Sequence, residues 1–159
     1  MKYFPFYIDL KKKSVLLIGG GEVAERKLDL LIKAKANVTI ISPKTTPYIL
    51  DIAEKNNIKI INEEYSSQHL DKKYSFVIAA TNNEKLNKSI AVDANKNNIL
   101  VNVVDRPEIC DFIFPSILER GDITVSVSTG GASPVLARML RTKLETMIPG
   151  AYGKVAKLI

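Results

Sequence analysis

The chain has 159 residues, of which 46% are hydrophobic and 25% are charged, and its formal net charge is +6. Its single cysteine excludes a disulfide framework within the chain, and the single histidine leaves too few ligands for a Cys/His zinc cluster. His69 lies in the polar stretch Ser66–His69, which predicts a solvent loop and not a catalytic triad. We therefore expect no metal site and no chemistry that depends on histidine.

The positive charge is concentrated near the C-terminus. Residues 126–159 contain five cations and one anion and so carry a net charge of +4. These residues are Arg138, Arg141, Lys143, Lys154 and Lys157, with Glu145 as the anion. No basic stretch is interleaved with aromatic residues, as stacking on single-stranded nucleic acid requires. This distribution favours an acidic small ligand, and we expect no nucleic-acid partner.

Neither a targeting segment nor a membrane span is expected. The first residues, Met1 to Pro5, lack the apolar run of a secretory signal. No apolar run in the chain approaches the roughly 18 residues that a membrane-spanning helix needs. We expect a cytoplasmic protein with no membrane partner.

Short apolar runs alternate with stretches of helical periodicity over residues 1–112. The apolar runs are 14–18, 38–41, 58–61, 76–80 and 100–104. The stretches with helical spacing are 22–35, 47–56 and 84–97. Strands that are apolar throughout are buried on both faces, as in a parallel sheet covered by helices. The alternation therefore predicts an α/β domain with a doubly wound, parallel Rossmann sheet.

The pattern changes after residue 112. Two strand-like runs, 112–117 and 123–127, flank a turn at 119–122 and predict a β-hairpin with Pro115 at an edge or bulge. A helix is predicted for 135–147, because Ser133 suits an N-cap and is followed by a proline. One hairpin and one helix cannot form a core alone. We therefore expect residues 113–150 to be a dimerisation region and the protein to be a homodimer.

A glycine-rich turn follows the first predicted strand. Gly19, Gly21 and Ala24 fit the pattern G-x-G-x-x-A at the start of a helix. In this pattern the first glycine allows a tight turn, the second lets a pyrophosphate approach the backbone, and the small third residue lets helix and strand pack closely. The N-terminus of the helix also supplies free N–H groups to the phosphates. The motif predicts a dinucleotide site.

The end of the second strand does not decide between NAD and NADP. An NAD site usually has Asp or Glu there, to bind the ribose 2′-hydroxyl. This strand is followed by Ser42, Pro43 and Lys44. Ser42 could bond the ribose hydroxyls, whereas Lys44 could tolerate a 2′-phosphate. The remaining candidates for cofactor binding are Thr81, Asn82 and Asn102.

Two further motifs suggest a substrate site. Asp105 follows the fifth strand, at the edge where ligands of open α/β sheets bind, and could act as a general base. The alternative is a surface turn of Asp105 and Arg106. A glycine-rich loop before the last helix could bind carboxylates or phosphates through its backbone and a nearby arginine. Its candidate residues are Ser128, Thr129, Gly130, Gly131, Ser133 and Arg138.

These motifs together resemble the siroheme synthase N-terminal family. The residues that carry the resemblance are 15–27, 102–105, 112–116 and 128–138, in family order and spacing. The resemblance implies an NAD-binding Rossmann domain and a precorrin-2 dehydrogenase, which oxidises precorrin-2 to sirohydrochlorin on the route to siroheme or cobalamin. Some members are also sirohydrochlorin ferrochelatases.

The resemblance also implies roles for individual residues. Asp105 matches the aspartate implicated in dehydrogenation and chelation. Nucleotide contacts fall on Glu22–Val23 and Pro43–Lys44, and Ser128–Thr129 match the loop near the tetrapyrrole. Family members usually continue for tens of residues, so we expect residues 151–159 to begin a helical region that is truncated or absent here.

Two functions remain open from the sequence. The first is the NAD-dependent dehydrogenase, with or without chelatase activity, acting on a tetrapyrrole substrate. The alternative is a non-catalytic Rossmann domain that senses nucleotides. Such a sensor would have an acidic residue at the end of the second strand and would not need the hairpin and the last helix.

Overall fold

The computed structural model describes residues 2–156, which form seven strands and five α-helices. The strands are β1 (Ser14–Ile18), β2 (Asn37–Ile41), β3 (Lys59–Ile61), β4 (Tyr74–Ala79), β5 (Leu100–Val103), β6 (Ser116–Arg120) and β7 (Ile123–Val127). The helices are α1 (Glu22–Lys33), α2 (Pro47–Lys55), α3 (Glu84–Lys96), α4 (Pro134–Met147) and α5 (Ala151–Val155). The chain divides into two compact units, one of which is Pro5–Phe112 and the other the remaining described residues.

The first unit is built on a parallel sheet in the order β3-β2-β1-β4-β5. The central strands β1 and β4 are almost completely buried, as their uninterrupted apolar sequence predicts. Helix α1 buries Ala24, Leu28 and Leu31, which are spaced by four and three residues and so lie on one face. The predicted doubly wound α/β fold is confirmed.

The second unit contains an antiparallel hairpin of β6 and β7. The predicted first strand, 112–117, was wrong in position, because β6 begins only at Ser116. Pro115 has no N–H for a strand ladder, so pairing starts after it. Glu119 and Arg120, expected in the turn, belong to β6. The turn is reduced to two residues, in which Gly121 adopts a φ of 63°.

The last helices complete this unit. Helix α4 begins at Pro134, and the Ser133 side chain caps it by accepting a hydrogen bond from the Leu136 backbone nitrogen at 3.2 Å. Helix α5 follows, and its Gly153 is buried. Of the predicted helical region 151–159, the last three residues lie outside the described part of the chain, and Lys157 of the basic tail is one of them.

Among residues 2–156, no helix is both long and apolar enough to cross a membrane. The same residues contain no group of three or more His, Cys, Asp or Glu side chains arranged to hold a metal ion.

Candidate functional site

A cavity of about 700 Å³ opens at the carboxyl edge of the parallel sheet. The glycine-rich turn after β1 forms one wall of this cavity, together with the segments that follow β2, β3 and β4. The lining residues are Ile18–Gly21, Ile41–Thr46, Glu64, Tyr65, Thr81–Asn83 and Leu86. Ligands of open α/β sheets bind at this edge. The cavity therefore lies where the sequence predicts the dinucleotide.

Gly19 and Gly20 allow three backbone segments to meet beside the cavity. A Cβ atom on Gly19 would lie 2.3 Å from the Ala80 carbonyl oxygen, and the φ of Gly19 is 123°, which strongly favours glycine. A Cβ atom on Gly20 would lie 2.2 Å from the Lys44 carbonyl oxygen. Both distances are far below van der Waals contact with atoms that cannot move aside. These two glycines are required by the packing of the protein itself.

Gly21 differs from both, because nothing lies within 4 Å of the position that its Cβ atom would take. It is the residue before α1, has an extended backbone and lines the cavity. A bare backbone that faces open space at the start of a helix is the cradle that a pyrophosphate requires. The residues present therefore fit a bound dinucleotide.

The segment after β2 is fixed by Ser42. Its side chain is buried, and its hydroxyl donates a hydrogen bond to the Lys44 carbonyl oxygen at 2.6 Å. That bond uses the only hydroxyl proton of Ser42, so the side chain could only accept a bond from a ribose hydroxyl. Pro43 and Lys44 are exposed and line the cavity.

The segment after β4 is held by a buried asparagine on α3. The Thr81 hydroxyl donates to the Asn87 Oδ1 at 2.7 Å, and the Asn87 Nδ2 donates to the Thr81 carbonyl oxygen at 2.9 Å. Asn83 caps α3 by accepting a bond from the Leu86 nitrogen. Thr81 and Asn82 line the cavity, as their position after β4 predicts.

Other predicted cofactor residues lie outside the cavity lining. Glu22 is exposed and Val23 half-buried in the first turn of α1, while Ala24 is buried against the sheet. Asn102 is buried on β5, where its Nδ2 donates to the Phe112 carbonyl oxygen at 2.9 Å. The contacts of Asn102 therefore join β5 to the chain that returns beside it.

Asp105 occupies a tight turn after β5, at the same edge of the sheet. It is exposed and adopts a left-handed φ of 59°, a conformation that aspartate tolerates better than most residues. The Cys110 thiol closes the turn, because its Sγ lies 3.1 Å from the Val103 nitrogen, 3.2 Å from the Val103 oxygen and 3.2 Å from the Arg106 oxygen. Asp105 is thus presented on a loop tied at its base.

Two cations flank the Asp105 turn. Arg106 forms an ion pair with Glu84 in the first turn of α3, and another with Glu108 at 3.5 Å. Lys27 is half-buried on α1, and its burial, assisted by Arg26, lowers the pKa of its ammonium group. Asp105 and Cys110 act in the opposite direction on that pKa, so their side chains lie within electrostatic range of Lys27.

The predicted substrate loop belongs to the second unit. The Thr129 hydroxyl donates to the Ser133 carbonyl oxygen at 2.9 Å and accepts from the Ser133 nitrogen at 3.0 Å. Gly130 and Gly131 adopt positive φ values of 65° and 88°. Ser128 and Arg138 are exposed. The structure thus gives this loop a defined shape at the start of α4.

Some residues of the site were not predicted from the sequence. They are Gly20, Thr45, Thr46, Glu64, Tyr65, Leu86 and the supporting Asn87. Asn87 carried a usable signal, because it stands four residues before Ala91 on the buried face of α3. A polar residue at such a position needs a partner. Glu64 and Tyr65 carried no local signal, since they reach the cavity only through strand order.

Comparisons with known proteins agree with this geometry. An NAD(P)-binding family model matches residues 6–116, and a model described as sirohaem biosynthesis protein central matches residues 120–147. The chain is 46% identical over 159 residues to a siroheme synthase of Pseudoalteromonas translucida, and 45% identical over 158 residues to one of Psychrobacter arcticus. It covers only 33% and 29% of those proteins, so it spans about a third of the curated relatives it matches.

The fold of this chain also matches that of a solved structure. The structure of SirC, a precorrin-2 dehydrogenase, matches with a TM-score of 0.84 and 26% identity, over 98% of this chain and 76% of that one. The family matches confirm the predicted cofactor, NAD, through the NAD(P)-binding region. The chain belongs to this NAD(P)-binding family, and these matches confirm the resemblance of its motifs to the siroheme synthase N-terminal family.

Proposed function

We propose that this protein is a precorrin-2 dehydrogenase, which converts precorrin-2 and NAD⁺ into sirohydrochlorin, NADH and a proton. The observation that carries the proposal is the open cradle at Gly21 on the same sheet edge as the exposed Asp105. Its similarity to SirC and to siroheme synthases supports the same activity. We propose that siroheme, or cobalamin in some organisms, is the end product.

The residues present suggest which role each would have in this reaction. NAD⁺, when bound, supplies the hydride acceptor. The Gly21 backbone and the N-terminus of α1 would hold the pyrophosphate, and Thr81 and Asn82 would line the cleft beside it. The Asp105 carboxylate is exposed and free to accept the proton that leaves with the hydride. Cys110 and Arg106 hold the turn that carries it.

We propose that the loop before α4 binds the tetrapyrrole, whose carboxylate side chains make it strongly acidic. The exposed Arg138 has the matching charge. The N–H groups of Gly130, Ala132 and Ser133 donate within the loop and fix its shape. The proposed residues are Ser128, Thr129, Gly130, Gly131, Ser133 and Arg138. The basic residues of α4 would raise the local concentration of such a substrate.

A coupled assay tests this activity. The protein is incubated with precorrin-2 and NAD⁺, and the absorbance of sirohydrochlorin and of NADH is followed together. We expect both products in equal amounts, and their absence would contradict the proposal. Asp105→Asn should retain NAD⁺ binding and lose product formation. Asp51→Asn on the exposed face of α2, where the carboxylate pairs with Lys55 at 2.7 Å, is the control and should leave both properties unchanged.

Metal insertion is a separate activity that the same sample can test. A second incubation contains sirohydrochlorin with Fe²⁺ or Co²⁺. Insertion above the spontaneous rate, abolished in Asp105→Asn, would make the protein bifunctional. A rate equal to the spontaneous one would limit it to dehydrogenation, and NAD⁺ binding without either reaction would favour the nucleotide-sensing alternative.

We also propose that the protein is a homodimer joined through α4. Val135 and Met139, and likewise Leu136 and Leu140, are four residues apart and form one apolar stripe. Val135 is 63% and Met139 57% exposed, which is unusual for the apolar face of a helix. A second copy of this stripe is a self-complementary partner, as two-fold symmetry requires.

Light scattering tests the dimer. We expect a dimer for the native protein and a monomer for Met139→Lys. The matched control is Val92→Lys on α3, where the side chain is also 52% exposed but stands outside the stripe. A monomeric native protein at micromolar concentration would contradict the proposal. The cytoplasmic location that the sequence predicts stays a prediction, which a fluorescent fusion can test.

A further inference from the structure

The cavity wall contains only two charged side chains among its described lining residues, and they have opposite signs. Lys44 follows β2, and Glu64 follows β3. Both are exposed, and neither side chain takes part in an ion pair or a hydrogen bond within residues 2–156. Their charges are therefore available to a ligand in the cavity.

No carboxylate stands at the end of β2, where a Rossmann domain usually recognises the ribose 2′-hydroxyl. Ser42 takes that place, but its hydroxyl proton is already donated to the Lys44 carbonyl oxygen. The Ser42 Oγ also lies 2.7 Å from where a Gly20 Cβ atom would stand, so position 20 must remain a glycine for Ser42 to keep this conformation. Because serine carries no charge, any selectivity against a charged 2′-phosphate must come from another residue.

Glu64 reaches the same region from the neighbouring strand. Because β3 pairs with β2 in parallel, with Ile61 beside Ile41, the segments after both strands leave the sheet side by side. Adjacent residues in the segment after β3 have different surroundings. Glu63 lies 3.4 Å from the His69 Nε2, whereas Glu64 lines the cavity.

We propose that Glu64 makes this site selective for NAD over NADP, by placing a carboxylate in the cavity wall beside the end of β2. The inference deepens the proposed function and rests on it. A 2′-phosphate entering this wall would meet the negative charge of Glu64, which opposes the attraction of Lys44. A free 2′-hydroxyl carries no charge and meets no such repulsion.

Coulomb's law sets the size of the expected effect. A phosphate of charge about −2 and a carboxylate roughly 7 Å apart, in a largely aqueous setting, give a penalty equivalent to roughly fivefold to tenfold in affinity. Such a penalty between exposed charges is screened by salt. Glutamine keeps a hydrogen-bond acceptor at the same position, so Glu64→Gln removes the charge and little else.

Titration calorimetry with NAD⁺ and with NADP⁺ tests the proposal without any turnover. The native protein is expected to bind NAD⁺ more tightly. Glu64→Gln should bind NADP⁺ roughly fivefold to tenfold more tightly than the native protein does, and NAD⁺ about equally. Lys44→Gln should shift the preference in the opposite direction. The matched control is Glu63→Gln, which removes the same charge one residue away and should leave the ratio unchanged.

The binding data test the role of Glu64 and the proposed function separately. A ratio that is unchanged in Glu64→Gln, or shifted equally in Glu63→Gln, would overturn the role of Glu64. A change in the NAD⁺/NADP⁺ preference that persists at 1 M salt would also overturn the role of Glu64. At that ionic strength the Debye length is about 3 Å, so repulsion between exposed charges farther apart is largely screened. A native protein that binds neither dinucleotide would instead contradict the proposed function.

Discussion

Asn87 on α3 and Thr81 after β4 are joined through both their side chains and the Thr81 backbone. Besides the two bonds already described, the Thr81 nitrogen donates to the Asn87 Oδ1 at 3.3 Å. The amide of Asn87 thus serves three groups of a residue that lines the cofactor cavity. The buried Asn87 amide thus supplies hydrogen-bond partners that Thr81, at the end of β4, would otherwise lack.

Replacing Asn87 by leucine should destabilise the protein and weaken NAD⁺ binding. The substitution leaves the polar groups of Thr81 without their partner, at a cost of about 2–3 kcal/mol in the free energy of unfolding. Urea denaturation measures the first effect and calorimetry the second. Asn95→Leu, the same change at an exposed position of α3, should do neither. Equal urea midpoints for Asn87→Leu and the native protein would contradict this role.

Gly20→Ala and Gly21→Ala should separate folding from cofactor binding. Alanine at position 20 would press on the Lys44 carbonyl oxygen, so we expect a loss of about 1–3 kcal/mol in stability. Alanine at position 21 meets no protein atom and should leave the apo protein within about 0.5 kcal/mol of native stability.

Gly21→Ala, which should leave stability almost unchanged, should nevertheless weaken NAD⁺ binding. The Gly21→Ala methyl group would occupy the space that a pyrophosphate needs, so NAD⁺ affinity should fall at least tenfold although the fold is intact. Denaturation of the apo proteins and calorimetry with NAD⁺ together give the comparison. Native-like affinity for NAD⁺ in Gly21→Ala would show that the pyrophosphate does not bind against the Gly21 backbone.

Much of the first unit could be predicted from local sequence. The strands β1 and β4 are apolar without interruption, and this alone indicates burial on both faces of a parallel sheet. Gly19 and Gly21 were also predicted from a local signal, the spacing of the glycine motif after the first strand. The position of β6 was not, because the strand-like run 112–117 has the right residue types but pairing depends on a free N–H after Pro115.

The rest of the site depends on contacts between segments far apart in the chain. Gly20 is required because the Lys44 carbonyl passes behind it, and no spacing rule within the glycine motif contains that information. Glu64 reaches the cavity because β3 pairs beside β2. Strand order determines both facts, and strand order is a property of the whole sheet.

The stability of the protein should decline in alkaline solution through Cys110. Burial raises the pKa of the Cys110 thiol, and Glu108 and Asp111 add to this, although the hydrogen bond from Val103 opposes it. The folded state therefore holds the thiol proton more tightly than the unfolded state does. Its stabilising contribution is complete below the unfolded pKa and is lost as the pH rises through the folded pKa.

Cys110→Ser isolates this contribution, because serine keeps a hydrogen-bonding group at the base of the Asp105 turn but does not titrate. Urea midpoints of the native protein and of the variant, measured from neutral to alkaline pH, should converge as the thiol ionises. Iodoacetamide should alkylate the native thiol more slowly than the unfolded one. Parallel stability profiles for the two proteins would exclude a role for thiol ionisation.

Gly153→Ala should loosen the hairpin of the second unit. A Cβ atom at this position would lie 2.2 Å from the Arg120 carbonyl oxygen, at the turn between β6 and β7. The chain can relieve the overlap only by moving α5 away from the turn. Hydrogen exchange of the β6 and β7 amides should therefore be faster in this variant. Gly150→Ala, where nothing lies within 4 Å of the new methyl group, should exchange as the native protein does. Equal exchange in both variants would mean that α5 does not restrain the hairpin.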